Sequence, residues 1–91
     1  MSRFRLHLYV VGQTPRSEQA IANLYRICEE VLDDCEITII NVLEQPELAD
    51  ENRILATPTL LKLMPPPARR IIGDLSDVSR VAMMLGLRSR T

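Results

Sequence analysis

The chain has 91 residues, of which 46% are hydrophobic but only 3% aromatic, and a formal net charge of −1. A chain of this length buries one modest core, so residues 1–91 are expected to form a single domain packed with Leu, Ile and Val rather than stacked rings. Near-neutrality excludes the dense cationic contacts to phosphate on which nucleic-acid binding rests. The balance is nevertheless uneven: residues 1–50 carry four basic and nine acidic side chains, residues 51–91 seven basic and three acidic. Such a split suits either a dipolar docking surface or ordinary solvated faces.

From Arg3 to Val11 the pattern alternates, with Phe4, Leu6, Leu8 and Val10 on one side and Arg3, Arg5, His7 and Tyr9 on the other. This is the period of a strand with one face buried. The opening MSRFRLHLYVVG has no uninterrupted apolar segment of signal-peptide length, and no apolar run approaches a membrane span. A cytoplasmic protein with no membrane contact and with Cys28 and Cys35 reduced is expected.

Thr14-Pro15 supplies a capping hydroxyl followed by proline at a first helical position, where its missing N–H costs nothing. Ala20, Ile21, Leu24, Ile27, Cys28, Val31 and Leu32 then recur at helical spacing, leaving Glu18, Arg26, Glu29, Glu30 and Asp33 for water. The run from Glu36 to Leu43 is β-branched and almost continuously apolar, as in a strand covered on both faces. A helix between two strands implies a right-handed crossover with the strands parallel.

Gln45-Pro46-Glu47 opens a short helix reaching about Asn52, its acidic first turn matched to the helix dipole. Thr57-Pro58 ends it, because a residue before proline is pushed out of helical space. Thr59 to Met64 reads as a third strand, Pro65-Pro66-Pro67 as a stiff turn without donors, and Arg69 to Ile72 as a fourth strand. Gly73-Asp74-Leu75-Ser76 leads into a last helix, with Ser76 as N-cap and Val78, Val81, Ala82 and Leu85 as its apolar stripe.

The resulting order, β-α-β-α-β-β-α, resembles the thioredoxin-like α/β architecture, in which a proline before the third strand is often cis; Pro58 stands at that place. Such chains carry their reactive C-x-x-C between the first strand and the first helix, where the helix N-terminus stabilises a thiolate. Here that loop reads Gly12-Gln13-Thr14-Pro15-Arg16-Ser17. Thr14 and Ser17 keep the spacing but bear hydroxyls, so helix capping is their expected role and dithiol chemistry is excluded. Cys28 points into the core and Cys35 lies at a strand edge, so neither replaces the missing pair. His7 and two dispersed cysteines make no metal-ligand set, and three glycines cannot build a phosphate loop. Glu29-Glu30 and Asp33-Asp34 sit on a helix face and its end, where solvation accounts for them. No catalytic residue, metal or cofactor is expected.

The run ILATPTLLKLMPPPARRIIGDLS, Ile54 to Ser76, resembles the signature of the KaiB family of clock proteins. Leu8-Tyr9-Val10, Gly12 with Thr14-Pro15 and Ser17, and Val42-Leu43, Pro46 and Leu48-Ala49 extend the similarity over nearly the whole chain. The resemblance implies a non-enzymatic module that binds a KaiC-type hexameric ATPase and, in cyanobacteria, also KaiA. It further implies fold switching in the C-terminal half, between a thioredoxin-like monomer and a dimer or tetramer of another fold. Lys62, Arg69 and Arg70 match the basic positions of the motif and, with Pro65, Pro66 and Pro67, are the candidate partner contacts. Solvated cations guarding an edge strand are the bland alternative.

Family members continue after GDLS toward I-G-L-D and an acidic tail, whereas this chain has Met83-Met84-Leu85-Gly86-Leu87-Arg88 and stops at Thr91. Aligned from Ser76, Met84 replaces the family's glycine and Gly86 its aspartate, which makes these two the candidate fold-switch determinants. Methionine propagates a helix better than glycine, so the thioredoxin-like state is expected at rest, with the last helix formed to about Leu85 and capped near Gly86. The departure equally suits a stress-response homologue paired with another KaiC-like ATPase. The N-terminal sensor domain of a SasA-type histidine kinase, which shares the fold and an A-T-P-x-L motif, is the alternative. The proline triplet and paired arginines oppose it.

Overall fold

A computed structural model describes residues 4–32 and 34–86 of the chain. Expectations for Arg3, Asp33, Leu87 and Arg88, and for the side chains of Val31 and Leu32, lie outside the described residues. The elements follow the order β1 (Phe4–Val10), α1 (Pro15–Ile27), a π-helical turn (Cys28–Leu32), β2 (Cys35–Asn41), α2 (Pro46–Glu51), β3 (Thr59–Met64), β4 (Arg69–Ile72) and α3 (Val78–Met84).

One sheet of four strands runs β2-β1-β3-β4, with β1 parallel to β2 and antiparallel to β3, and β3 antiparallel to β4. Phe4, Leu6, Leu8 and Val10 face α1 and α3, where they meet Ala20, Leu24, Ile27, Leu60, Ile71, Val81 and Leu85 in the larger core. On the other face a smaller cluster gathers Tyr9, Ile40 and Leu61 with Val42, Leu48 and Ile54. The result is a three-layer arrangement of helix, sheet and helix, of the thioredoxin-like α/β class.

Two strands differ from the alternation read in the sequence. β1 is covered on its second face only toward its C-terminal end: Arg5 is exposed and His7 half-buried, whereas Tyr9 is 1% exposed and its hydroxyl accepts from Asn52 Nδ2 at 3.0 Å. β2 is not covered on both faces: it is an outer strand in which only Ile40 is buried. Its apolar run hides this because the two cases share a composition and differ only in which strands become neighbours. β2 also stops at Asn41 rather than Leu43. The Asn41 carboxamide oxygen accepts from Gly12 N at 3.1 Å and Leu43 N at 3.0 Å, and its carbonyl accepts from Glu44 N and Gln45 N, so the chain leaves the ladder there.

Local chemistry sets the helix ends. Thr14 caps α1, its Oγ1 accepting from Ser17 N at 3.1 Å, with Pro15 at the first helical position. For α3 the cap is Asp77 rather than Ser76: Asp77 Oδ1 accepts from Arg80 N, while Ser76 N donates to Asp74 Oδ1 at 3.1 Å and so belongs to the preceding turn. α3 closes at Leu85, followed by Gly86 at φ 86°, the left-handed conformation that glycine adopts without strain.

At Gly86 an added Cβ would meet nothing within 4 Å, so substitution there costs backbone conformation alone. Gly86→Ala is expected to lower unfolding stability by about 1 kcal/mol, the penalty of a left-handed L-residue. Urea titration followed by circular dichroism checks it, and an unchanged midpoint would show that this cap contributes nothing.

Candidate functional site

The β3–β4 hairpin carries the basic positions and the proline triplet. Arg69 and Arg70, adjacent in β4, project to opposite faces of the sheet, as successive strand residues must. Arg69 pairs in register with Lys62 on the face toward α3, while Arg70 pairs with Leu61 on the face toward α2. They are not one cationic cluster.

Both arginines are exposed, but their surroundings differ. The Arg70 guanidinium donates to the carbonyls of Asn52 at 2.6 Å and Arg53 at 2.7 Å. Those carbonyls stand where α2 has ended and where Arg53 adopts φ 53°, so they have no helical donor ahead of them. Arg70 thus pins the outer strand to the loop leading into β3. The Arg69 side chain makes no hydrogen bond or ion pair among the described residues. Pro66 and Pro67 are exposed and Pro65 half-buried, and the peptide bonds preceding Pro58, Pro65 and Pro67 are cis.

Lys62 corrects the expectation of three surface cations, being 3% exposed. It lies opposite Leu6 in β1, which is fully buried, and its Nζ donates to the Leu85 carbonyl at 3.4 Å. The ammonium therefore sits at the C-terminal end of α3, the negative end of the helix dipole. Burial first, and the nearby Arg69 charge second, hold its pKa below the ordinary 10.5. Lys62 is a strut between β3 and α3 rather than a contact offered to solvent.

The loop between β1 and α1 carries no thiol. Ser17 is buried and ties the two elements together, its Oγ accepting from Val11 N and donating to the Val11 carbonyl, both at 3.2 Å, while Thr14 Oγ1 donates to it at 2.9 Å. Both hydroxyls are thereby spent on architecture. Residues overlooked in the sequence include Asn23, whose Nδ2 donates to the Asp74 carbonyl 51 positions away at 2.8 Å and holds the loop before α3 against α1. A polar residue on an otherwise apolar helix stripe was the available signal.

His7 is half-buried, with its pKa lowered by burial and by Arg5 against the opposing influence of Glu36. Arg5 and Glu36 form a cross-strand ion pair at 2.8 Å with both side chains about half exposed, an arrangement worth less than about 1 kcal/mol. Among the described residues no group of three or more His, Cys, Asp or Glu is placed to hold a metal, and no helix is long and apolar enough to cross a membrane. An open groove of about 150 Å³ lies between Arg16, Gly73, Asp74, Asp77 and Arg80, below the roughly 300 Å³ at which small-molecule sites begin.

A buried ammonium with one long hydrogen bond is costly, so Lys62→Met is expected to stabilise the fold by about 1–3 kcal/mol at neutral pH. Because the folded-state pKa lies below 10.5, the unfolded chain binds the extra proton between the two values. The wild type therefore gains stability as pH rises through the folded pKa toward 10.5, and the advantage of the variant narrows over that window. Paired denaturant titrations from pH 7 to the alkaline range measure it; a pH-independent difference would show that the amine carries no burial penalty.

A protein-family profile described as the KaiB domain matches residues 7–87. A circadian clock protein KaiB3 of Synechocystis is 54% identical over 88 residues, covering 96% of this chain and 84% of that protein. A circadian clock oscillator protein KaiB of Synechococcus is 55% identical over 83 residues, covering 90% of this chain and 76% of that protein. Among solved structures, the N-terminal domain of Synechococcus elongatus SasA superposes with a TM-score of 0.76 at 25% identity, over 100% of this chain and 90% of that one. Yeast mitochondrial thioredoxin 3 gives 0.75 at 16% identity over 96% and 81%, a likeness of fold alone. With the signature run from Ile54 to Ser76 lying on β3, β4 and their flanking loops, the chain belongs to the KaiB family of circadian clock proteins.

Proposed function

We propose that this chain is a non-enzymatic regulatory module of the cytoplasm that docks on a KaiC-type hexameric ATPase and alters its activity or output. The observation carrying this reading is the identity above one half with KaiB clock proteins across at least nine-tenths of the chain, together with a β1–α1 loop whose hydroxyls are consumed in capping. A thiol oxidoreductase needs a nucleophile at that helix start, and Thr14 and Ser17 supply none. KaiA-like or histidine-kinase partners competing for the same face, and self-association into dimers or tetramers, belong to the same proposal.

Arg69, exposed on an outer strand beside the stiff proline turn, is the foremost contact on this reading, because a side chain held by rigid backbone loses little entropy on docking. Arg70 is a poorer probe, since its loss also frees the carbonyls of Asn52 and Arg53. Pro65, Pro66 and Pro67 shape the turn. Met84, half-buried against the larger core, and Gly86, past the end of α3, are proposed to favour the thioredoxin-like arrangement at rest. A solution structure with residues 75–85 as strand would refute that part.

Size-exclusion chromatography with the KaiC-type ATPase of the same organism, with and without ATP, tests the docking. Arg69→Ala is expected to weaken co-elution about tenfold, the effect of one charged contact of roughly 1.4 kcal/mol, with its melting midpoint unchanged. Failure of the wild-type chain to co-elute in every nucleotide state would overturn the proposal, as would measurable insulin reduction.

A further inference from the structure

The two cysteines are brought together by the fold. Cys28 opens the π-helical turn after α1 and is buried in the larger core; Cys35 opens β2, is half-buried and packs against the same core. Both side chains pack in the one core, with Cys35 close enough to perturb the Cys28 thiol. Neither cysteine is in a disulfide.

From this juxtaposition we infer that Cys28 and Cys35 form a redox modification site, in which a small-molecule disulfide of the glutathione type converts the neighbouring thiols into an intrachain disulfide joining the end of α1 to the start of β2.

The order of events follows from exposure. Cys35 is the thiol that solvent reaches, so its sulfur attacks one sulfur of glutathione disulfide, forming a mixed disulfide and expelling one glutathione thiolate, which takes up the proton Cys35 gave up. Cys28 then loses its proton, and its sulfur attacks Cys35 Sγ; the S–S bond to glutathione breaks and the second glutathione leaves as a thiol. Two protein thiols surrender two electrons and two protons, and one glutathione disulfide becomes two glutathione molecules. Burial, and then the neighbouring Cys35, push the Cys28 thiol well above the usual thiol range. Cys28 is therefore a weak attacker of external oxidants and acts only where a sulfur already touches it. The second step is the slower one, and its rate follows the small thiolate fraction of Cys28.

A pairing of this kind is distinct from the C-x-x-C of a thioredoxin, which lies at the opposite end of α1 and is exposed to substrate. It modifies the protein itself, by stapling the outer strand β2, which has only β1 as neighbour, to the helix that covers the core. In a compartment that keeps thiols reduced, such bonds are transient and report oxidising excursions.

The full chain is incubated with glutathione disulfide under native conditions, acid-quenched, alkylated in denaturant, and analysed by intact mass and peptide mapping. The expected product is a monomer lighter by two hydrogens, unalkylated, with a Cys28–Cys35 cross-linked peptide whose formation accelerates about tenfold per pH unit. Cys28→Ala should stop at a glutathione adduct on Cys35, and Cys35→Ser, at a less buried position, should leave Cys28 unmodified. A lasting adduct on Cys35 with Cys28 still alkylated in the wild type would overturn the assignment. So would a bond between two chains, or two thiols that remain unreacted.

Discussion

The burial of β1, complete along one face and extending to Tyr9 on the other, is the constraint on which the other elements depend. Leu6 and Leu8 are fully buried toward α1 and α3, and Tyr9 is 1% exposed toward α2. A strand that presents apolar groups on both sides must be flanked by other strands and covered by helices above and below. The parallel partner β2 arrives through the α1 crossover, and the antiparallel partner β3 through α2. Each fully buried large aliphatic side chain contributes on the order of 1.5–3 kcal/mol, so this one strand supplies a large part of the net stability of so small a domain. The polar tip of Tyr9 would undo part of that gain if left unpaired. Asn52, at the end of α2, supplies its donor and thereby fixes where that short helix lies.

The element order was legible because every junction carries its own breaker. Thr14-Pro15 and Gln45-Pro46 start helices, Thr57-Pro58 delivers the chain into β3, and the three prolines separate β3 from β4. These are local signals, and the bounds of β3 and β4 coincide with those read from the residues. What stayed hidden depends on contacts between residues far apart. The outer position of β2 follows from sheet order, which no local pattern encodes. Asn23 lies 51 residues from the carbonyl it holds, and Arg70 reaches back 17 and 18 residues to the carbonyls of Arg53 and Asn52. Lys62 shares the parity of Leu60, yet in a strand covered on both faces parity does not reveal that the far end of a lysine will lie beneath a helix terminus.

This last point changes how the basic hairpin is understood. Three cations in a short stretch of sequence suggest one patch, whereas the fold separates them and gives two of them structural tasks. Lys62 meets the end of α3, Arg70 satisfies the carbonyls left open beyond α2, and Arg69 alone is without such an assignment among the described residues. The alternation of β4 and the central position of β3 enforce this division. The same hairpin therefore couples α2, α3 and the outer edge of the sheet, so a partner gripping Arg69 would pull on a strand that both helices help to hold.

The loop between β1 and α1 argues in the same direction. A helix start offers unpaired N–H groups and a partial positive charge, which in a redox protein stabilise a thiolate. Here Thr14 Oγ1 takes the Ser17 N–H, and Ser17 Oγ turns back to both backbone groups of Val11, so the polarity of the helix start is directed into the chain's own backbone. A single thiol placed at Ser17 would not restore chemistry, because it would arrive buried and remove the hydroxyl that joins β1 to α1. The scaffold has the thioredoxin-like fold, and the corner between β1 and α1 is a structural joint.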